Sequence, residues 1–316
     1  MKTVEDLIKS REQRASILEE FGEIPQSIMV HNRSVKAIDL MAEKRNYGTR
    51  ANNGGHTASV FDVSGQSVRA HSKAFSSSDT GNNAKNCRNG EDAPLSRFPQ
   101  NIGRSLLLLY TKKDDTVVDP FAGHNSRMEL CWRANRNYIG NDISKEFMTA
   151  NREISAMLSE EASSDMFGAN HYTAWIQLHE GDSRAMPQIE NNTGDFTITS
   201  PPYWDIEDYG NEPEQLGKGK TYQQFISGLG QVAVENFRVL KGGSFCVWCV
   251  NDFRKGGKFY SYHEDTAACL RSAGFVQHDI AITDLGSPIR AAFAQQVIEE
   301  KILPKRHEYC LVFRKP

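Results

Sequence analysis

Short apolar runs alternate with amphipathic stretches from residue 98 onward. Residues 102–110 (IGRSLLLLY) have the pattern of a buried helix, and 127–135 (RMELCWRAN) that of a second one. Between them, 116–123 (TVVDPFAG) predicts a strand that ends in a turn, and 138–144 (YIGNDIS) predicts another strand. Strands that alternate with helices are typical of an α/β fold built on a parallel sheet.

The same alternation continues to the C-terminus. We predict helices near 145–158, 222–238 and 263–273, and strands near 175–179, 195–199, 244–250, 276–283 and 307–315. The strand at 195–199 runs into a proline-stiffened turn, SPPYW. The result is a doubly wound α/β domain with a mixed sheet of about seven strands and helices on both faces.

The N-terminal part of the chain has a different character. Residues 3–21 carry apolar side chains at helical spacing among charges, which predicts an amphipathic helix. Residues 45–96 are rich in Asn, Ser, Gly and Arg, which predicts long loops. Such loops are either linkers or substrate-binding segments that order on contact. We therefore divide the chain into 1–96, the N-terminal helix and polar loop region, and 97–316, the α/β domain.

Composition limits the class of protein. With 316 residues, 39% of them hydrophobic and 24% charged, the chain can bury a sizeable core. We expect a cytoplasmic protein without a membrane partner, because no apolar run approaches the roughly 18 residues that a bilayer span needs and the N-terminus lacks the apolar centre of a signal peptide.

Charge is distributed unevenly around a net value of -3. Lys and Arg outnumber Asp and Glu in 33–118 and in 254–316, whereas acidic residues predominate in 119–253. This arrangement suits an acidic core with basic edges for a polyanion, although the solvated faces of ordinary proteins also produce such imbalances.

The cysteines do not predict a metal site. Cys246 and Cys249 have CxxC spacing, but FCVWCV is a strand-like run in which residues three apart point to opposite faces. Reduced, buried thiols are expected, and no metal is predicted.

Three acidic turns follow predicted strands, at the edge where doubly wound sheets bind ligands. Asp119 could accept a hydrogen bond from an ammonium group, and Gly123 permits close backbone approach. Asp142 is placed to bind ribose hydroxyls, and Asp182 could accept a hydrogen bond from an adenine amino group. Together the turns predict one ligand, S-adenosylmethionine, although each Asp alone would more often be a helix cap or turn residue.

The fourth turn is the most specific feature of the chain. It consists of Ser200, Pro201, Pro202 and Tyr203, preceded by Thr199 and followed by Trp204. This turn resembles motif IV of the DNA amino-methyltransferases, a family of class I S-adenosylmethionine-dependent enzymes with a Rossmann-like fold. The resemblance implies that the four residues are catalytic, and that the substrate is the exocyclic amino group of a DNA base.

The residue types of this turn suit the chemistry. An exocyclic amino group is a poor nucleophile, so its hydrogens must be drawn toward acceptors as the nitrogen becomes tetrahedral. Pro201 and Pro202 have no N–H and leave their carbonyl oxygens free, and the Ser200 hydroxyl can accept a second hydrogen. The base must first be rotated out of the duplex. Tyr203 would stack on it, and Trp204 would extend the aromatic wall.

The resemblance extends in outline over residues 98–316. It places the methionine end of the cofactor against Pro99, Asn101 and Phe121, and adds Ser183 and Thr199 to the cofactor-binding residues. The phage and prokaryotic DNA methylases associated with ParB-like domains look nearest, since they pair SPPYxDIExY with a later GSxxR segment. Here that segment is Gly286, Ser287 and Arg290, so Arg290 is assigned to the substrate.

Two departures from the family pattern matter. The glycine-rich continuation after Gly123 is replaced by His124, Asn125, Ser126 and Arg127, so that the cofactor loop differs or binds less tightly. No long recognition domain follows the catalytic turn, so base readout is expected from 45–96, 205–221 and 284–306. Recognition is then short or requires a homodimer.

The sequence therefore predicts a DNA methyltransferase with S-adenosylmethionine as cofactor and DNA as partner. Residues 97–316 would form the catalytic domain, and 1–96 would contribute to DNA recognition. Ser200 in place of Asp or Asn resembles the cytosine N4 subclass. The alternatives are an adenine N6 enzyme, an RNA or protein amino-group methyltransferase, and a non-catalytic DNA-binding relative. A restriction or phage partner is left open.

Overall fold

The computed structural model describes residues 28–30, 59–61, 67–69, 98, 100–164, 172–206, 212–284, 301–303, 305 and 307–316. Several predictions lie outside these ranges: the helix at 3–21, most of the loop region 45–96, Pro99, and the segment containing Arg290. Asn101 lies within a described helix, but its side chain is not described.

The described residues form five helices and twelve strands. The helices are α1 (Gln100–Tyr110), α2 (Ser126–Arg133), α3 (Lys145–Ser164), α4 (Tyr222–Val239) and α5 (Tyr262–Ser272). The strands are β1 (Ile28–Val30), β2 (Ser59–Phe61), β3 (Ser67–Arg69), β4 (Thr116–Asp119), β5 (Asn137–Asp142), β6 (Ile176–Glu180), β7 (Gly194–Thr199), β8 (Leu240–Val250), β9 (Phe253–Lys255), β10 (Lys258–Tyr260), β11 (Val276–Asp284) and β12 (His307–Arg314).

One large sheet organises the chain, with the strand order β1-β11-β12-β8-β7-β4-β5-β6. Strand β12 is antiparallel to both of its neighbours, and the other strands of this sheet run parallel to one another. The seven strands predicted from the sequence are all present, which confirms the mixed sheet of a Rossmann-like class I methyltransferase fold. Strand β1 adds an eighth, paired through Ile28 with Ile282 of β11.

Helices cover both faces of the sheet, as predicted. On one face, Leu107 of α1, Leu130 of α2 and Leu158 of α3 pack in a buried cluster with Val247 and Cys249 of β8. On the other face, Phe225 and Leu229 of α4 and Leu270 of α5 pack with Cys246 and Trp248. Successive residues of β8 thus enter opposite layers, which confirms that the two cysteines point to opposite faces.

Sequence features determine where some elements begin and end. Helix α4 starts at a capping box, in which the Thr221 hydroxyl accepts from the backbone of Gln224 and the Gln224 side chain accepts from the backbone of Thr221. Helix α3 continues to Ser164, beyond the predicted end at 158. None of the helices in the described ranges offers the length of apolar surface that crossing a bilayer requires.

Two hairpins were not predicted. Strands β2 and β3 form an antiparallel pair within the predicted loop region. Strands β9 and β10 form a second pair directly after β8, closed by Gly256 and Gly257. Both glycines have positive φ, 57° and 77°, as a two-residue turn between twisted strands requires.

Candidate active site

The site lies where the strand order reverses. The chain winds from β4 outward through β5 to β6, then returns to place β7 on the other side of β4. Crevices at such switch points are the usual ligand sites of doubly wound sheets. Asp119 ends β4 and Thr199 ends β7, and the Thr199 hydroxyl donates to Asp119 Oδ1 over 2.6 Å. The first and fourth predicted turns therefore meet at this point.

Asp119 is completely buried, and protein donors surround its carboxylate. Besides Thr199, Oδ1 accepts from the Phe121 backbone N–H at 3.1 Å. Oδ2 accepts from Arg127 Nε at 2.6 Å and from the Tyr138 hydroxyl at 2.9 Å. A carboxylate has about four acceptor positions, and here all four are used. The ammonium group that the sequence assigned to Asp119 would have to displace one of these donors.

Arg127 is the cation that Asp119 binds instead. Its guanidinium is buried, donates also to the carbonyl oxygens of Phe121 and Ala122, and lies 5.4 Å from the centre of the Phe98 ring. Burial lowers the pKa of Arg127, but Asp119 and Tyr138 raise it by a larger amount, so the group stays charged. Arg127, the last residue of the atypical segment 124–127, therefore fixes the turn after β4 by these hydrogen bonds. Sequence reasoning left this role open, since nothing in the pattern indicates where Arg127 points.

Asp142 stands beside this turn at the end of β5. Its Oδ2 accepts from the Gly123 N–H at 2.7 Å, and its Oδ1 accepts from the Ser144 N–H at 2.9 Å. Removal from water raises the pKa of Asp142 to about 6, although these two hydrogen bonds oppose the rise. Gly123 has φ 49°, a left-handed conformation that favours glycine. Each oxygen of Asp142 retains an acceptor position for a hydroxyl group.

The third turn is tied to the first. Ser183 is buried, and its hydroxyl donates to the Pro120 carbonyl and accepts from Asn141 Nδ2. Asp182 is partly exposed, and its carboxylate receives both Nε and Nη2 of Arg184. An adenine amino group would thus share Asp182 with Arg184. Phe121 is partly buried, with its ring edge-on to Trp248 at 5.9 Å.

The Ser-Pro-Pro-Tyr turn at 200–203 is held by groups on α5 and β12. The buried Tyr262 hydroxyl donates to the Pro202 carbonyl at 2.9 Å, and the Tyr203 hydroxyl donates to Glu308 Oε1 at 3.3 Å. Within the described part of the chain, no side-chain hydrogen bond involves the Ser200 hydroxyl, which is partly exposed, or the carbonyl of buried Pro201. The predicted acceptors therefore remain available, whereas the Pro202 carbonyl is engaged. Sequence reasoning missed these contacts, because Tyr262 lies in no motif and Glu308 was recognised only as part of the final strand.

Trp204 belongs to the support of this turn. Its φ is 35°, its indole N–H donates to the Lys220 carbonyl at 2.9 Å, and Lys255 Nζ lies 4.6 Å from its ring centre. Gly217 packs against its backbone so closely that an added Cβ would lie 1.9 Å from the Trp204 carbonyl oxygen. Its predicted contact with the substrate would have to be made by the part of the ring that these groups leave uncovered.

The described residues contain no group of three or more His, Cys, Asp or Glu side chains able to hold an ion. Cys246 donates to Asn236 Oδ1, and Cys249 lies with its sulfur 3.4 Å from that of Cys310.

Comparison with known proteins identifies relatives among DNA methylases. The model of a DNA methylase family matches residues 16–153, which confirms the predicted resemblance to the DNA amino-methyltransferases; the turn at 200–203 lies outside the matched segment. The type II methyltransferase M.SmaI of Serratia marcescens is 29% identical over 130 residues, covering 37% of this chain and 41% of that protein. The orphan methyltransferase M.BamHII of Bacillus amyloliquefaciens is 36% identical over 50 residues, 16% of this chain and 19% of its own.

The matches thus span less than half the length of either relative. Among solved structures, an S-adenosylmethionine-dependent methyltransferase from Methanosarcina mazei aligns over 66% of this chain and 96% of its own, with 12% identity and a TM-score of 0.43. At that similarity the fold assignment rests on the strand order of the chain itself. The association with ParB-like domains that the sequence suggested is not tested by these relatives.

Proposed function

We propose that this chain is an S-adenosylmethionine-dependent DNA methyltransferase that modifies the exocyclic amino group of a flipped base, with cytosine N4 favoured over adenine N6. The observation that carries the proposal is the pairing of Thr199 with Asp119. This hydrogen bond holds the Ser-Pro-Pro-Tyr turn beside the turn after β4, at the switch point where a nucleoside cofactor would bind.

The residues around Asp142 fit such a cofactor. A carboxylate with one acceptor position left on each oxygen suits a pair of ribose hydroxyls, and Gly123 leaves space at the adjacent backbone. Asp182 remains a candidate for the adenine amino group in competition with Arg184. When bound, the cofactor supplies an electrophilic methyl group. Because Asp119 is fully engaged, we expect its part in cofactor binding to be the shaping of the turn.

The turn at 200–203 can hold an amino group without competing donors. Ser200 Oγ and the Pro201 carbonyl would accept the two amino hydrogens and so favour the tetrahedral, nucleophilic state of the nitrogen. Tyr262 keeps the Pro202 carbonyl in place, which fixes the turn rather than the substrate. Tyr203 is fixed at its hydroxyl by Glu308, so its ring is preorganised to stack on a flipped base.

Methylation of DNA by the purified chain tests the proposal. Incubation of plasmid DNA with radiolabelled S-adenosylmethionine, followed by digestion to nucleosides and mass spectrometry, should yield N4-methyldeoxycytidine. N6-methyldeoxyadenosine instead would correct the base but keep the reaction, and label transferred only to RNA or protein would refute the DNA substrate.

Variants then test the assigned roles. Ser200→Ala should lower kcat by about 10²-fold, as the loss of one preorganised transition-state hydrogen bond does elsewhere, with the Kd of the cofactor unchanged. Tyr203→Ala should behave similarly, whereas Asp142→Ala should weaken cofactor binding itself. Ser159→Ala, on the exposed face of α3, is the matched control. Full activity of Ser200→Ala would remove that residue from the mechanism.

The engagement of Asp119 favours one second candidate, a DNA-binding relative that does not bind the cofactor. Arg127 occupies the carboxylate that the pattern of acidic turns assigns to the cofactor. Calorimetry of the full chain with S-adenosylmethionine separates the two, because heat of binding that disappears in Asp142→Ala supports the enzyme. Absence of binding heat, with retained affinity for DNA, would support the second candidate.

A further inference from the structure

The hairpin β9–β10 leaves β8 at the ligand-binding edge of the sheet and stands beside the catalytic turn. Phe253 lies edge-on to Tyr203, with ring centres 6.5 Å apart, and Tyr260 contacts Trp204 at 5.3 Å. Lys255 anchors the hairpin by an ion pair with Asp205, two residues beyond Tyr203. The hairpin is therefore fixed to the segment that holds the proposed substrate.

The two faces of the hairpin differ. The cross-strand pairs are Lys258 with Lys255, Phe259 with Arg254, and Tyr260 with Phe253. Because side chains alternate along a strand, Phe253 and Tyr260 share the inner face, and Arg254 and Phe259 share the outer face. The inner face packs on the aromatic residues under the catalytic turn.

The outer face is basic, aromatic and exposed. Phe259 is 46% exposed, and the Arg254 guanidinium lies 5.1 Å from the centre of its ring. Lys258 lies on the inner face with Tyr260 by the same alternation, but it is exposed beside the turn, with its ammonium 5.0 Å from the centre of the Tyr260 ring. The sequence of the hairpin, FRKGGKFY, contains three cations and no acidic residue. Lys255 is paired, so Arg254 and Lys258 remain as the cations that can meet an anion.

We propose that this hairpin is a DNA-contacting element, in which Arg254 and Lys258 bind backbone phosphates next to the flipped nucleotide and Phe259 packs against the deoxyribose or base beside them. The proposal rests on the function proposed above and adds the surface that receives the strand. Phosphates favour guanidinium and ammonium groups, and exposed aromatic rings beside cations suit nucleotides. The tip of the hairpin is open, since no described atom lies within 4 Å of a Cβ placed on Gly256 or Gly257.

Salt dependence of DNA binding distinguishes the two kinds of contact. For a fluorescein-labelled random-sequence duplex, log K falls as log salt rises, and each lost phosphate contact makes this negative slope shallower by about 0.9. Arg254→Ala and Lys258→Ala should each show this change. Phe259→Ala should weaken binding roughly fivefold or more without changing the slope, because an apolar contact releases no counterion.

Controls come from the opposite edge of the sheet. Arg271 lies in the last turn of α5, before β11 begins, and Lys113 precedes β4; both are exposed. Arg271→Ala and Lys113→Ala should keep the wild-type slope. If the wild type methylates DNA and all three hairpin variants bind like it, the hairpin inference is wrong and the proposed function stands. If the wild type neither binds nor methylates DNA, both are wrong. If the hairpin variants lose affinity for an RNA duplex but keep their affinity for DNA, the inference is also wrong.

Discussion

Replacement of Arg127 by methionine isolates the pair at the centre of the site. The change keeps much of the side-chain volume and removes the charge, while Asp119 stays buried with a carboxylate that has lost its cation. Removing one partner of a buried ion pair costs about 3–5 kcal/mol, because the remaining charge is uncompensated. We expect a loss in this range in the free energy of unfolding, measured from urea titrations followed by circular dichroism.

The matched control is the pair between Arg152 and Glu180. Their charged atoms are 3.5 Å apart, and the side chains are 47% and 38% exposed. Exposed pairs of this kind contribute less than about 1 kcal/mol, so Arg152→Met should have little effect. The double variant Asp119→Asn, Arg127→Met should be less destabilised than Arg127→Met alone, since no charge is left buried. If Arg127→Met and Arg152→Met cost the same, the account of the buried pair is wrong.

Three further changes test other parts of the site. Burial raises the pKa of Asp142 to about 6, and ribose hydroxyls donate best to a carboxylate, so the Kd for S-adenosylmethionine should rise as pH falls below 6 and this dependence should vanish in Asp142→Asn. In the cofactor-free chain, the contribution of Asp142 to stability should fall as pH rises from about 3.8 to 6, because only the folded state binds the extra proton there; stability relative to Asp142→Asn measures it. Tyr262→Phe removes the donor to the Pro202 carbonyl and should lower kcat with the cofactor Kd unchanged, whereas Tyr222→Phe, which loses a bond to Asp265, should spare kcat; equal kcat in both variants would contradict the positioning role. Gly217→Ala should destabilise the chain by roughly 1–3 kcal/mol because its Cβ meets the Trp204 carbonyl, while Gly230→Ala, with 3.8 Å to its nearest neighbour, should be neutral or stabilising in thermal melts.

The order of elements was predictable because the periodicities are strong. The runs VV in β4 and CVWCV in β8 are buried and entirely apolar, as expected for strands of a sheet that helices cover on both faces. The ends of the elements were predicted less accurately than their order. Strand β8, for example, begins at Leu240, before its predicted start at 244, with polar and glycine residues that do not alternate. The hairpin β9–β10 was missed although Gly-Gly between β-forming residues is a recognised signal, because each of its strands is only three residues long.

The site was predictable to the level of turns but not of partners. Short motifs placed Asp119, Asp142 and Ser200 at one edge of the sheet, since parallel strands end together. They could not indicate that Arg127 occupies Asp119, because this depends on the direction of one side chain within α2. Tyr262 and Glu308 come from elements far along the chain, and only the tertiary structure brings them to the turn.

Strand β1 has a consequence for how the chain can be divided. Its backbone pairs with Ile282, Thr283 and Asp284 of β11, which would otherwise lie at the outer edge of the sheet. Strand β11 also carries the exposed side chains of Val276 and Ile280. An open edge with apolar side chains is a template for adding another strand. A fragment that starts at residue 97 would uncover the backbone of Ile282–Asp284 next to these apolar side chains and should therefore self-associate through β11 more readily than the whole chain. A dimer seen with such a fragment would report the missing strand and not the assembly of the whole protein.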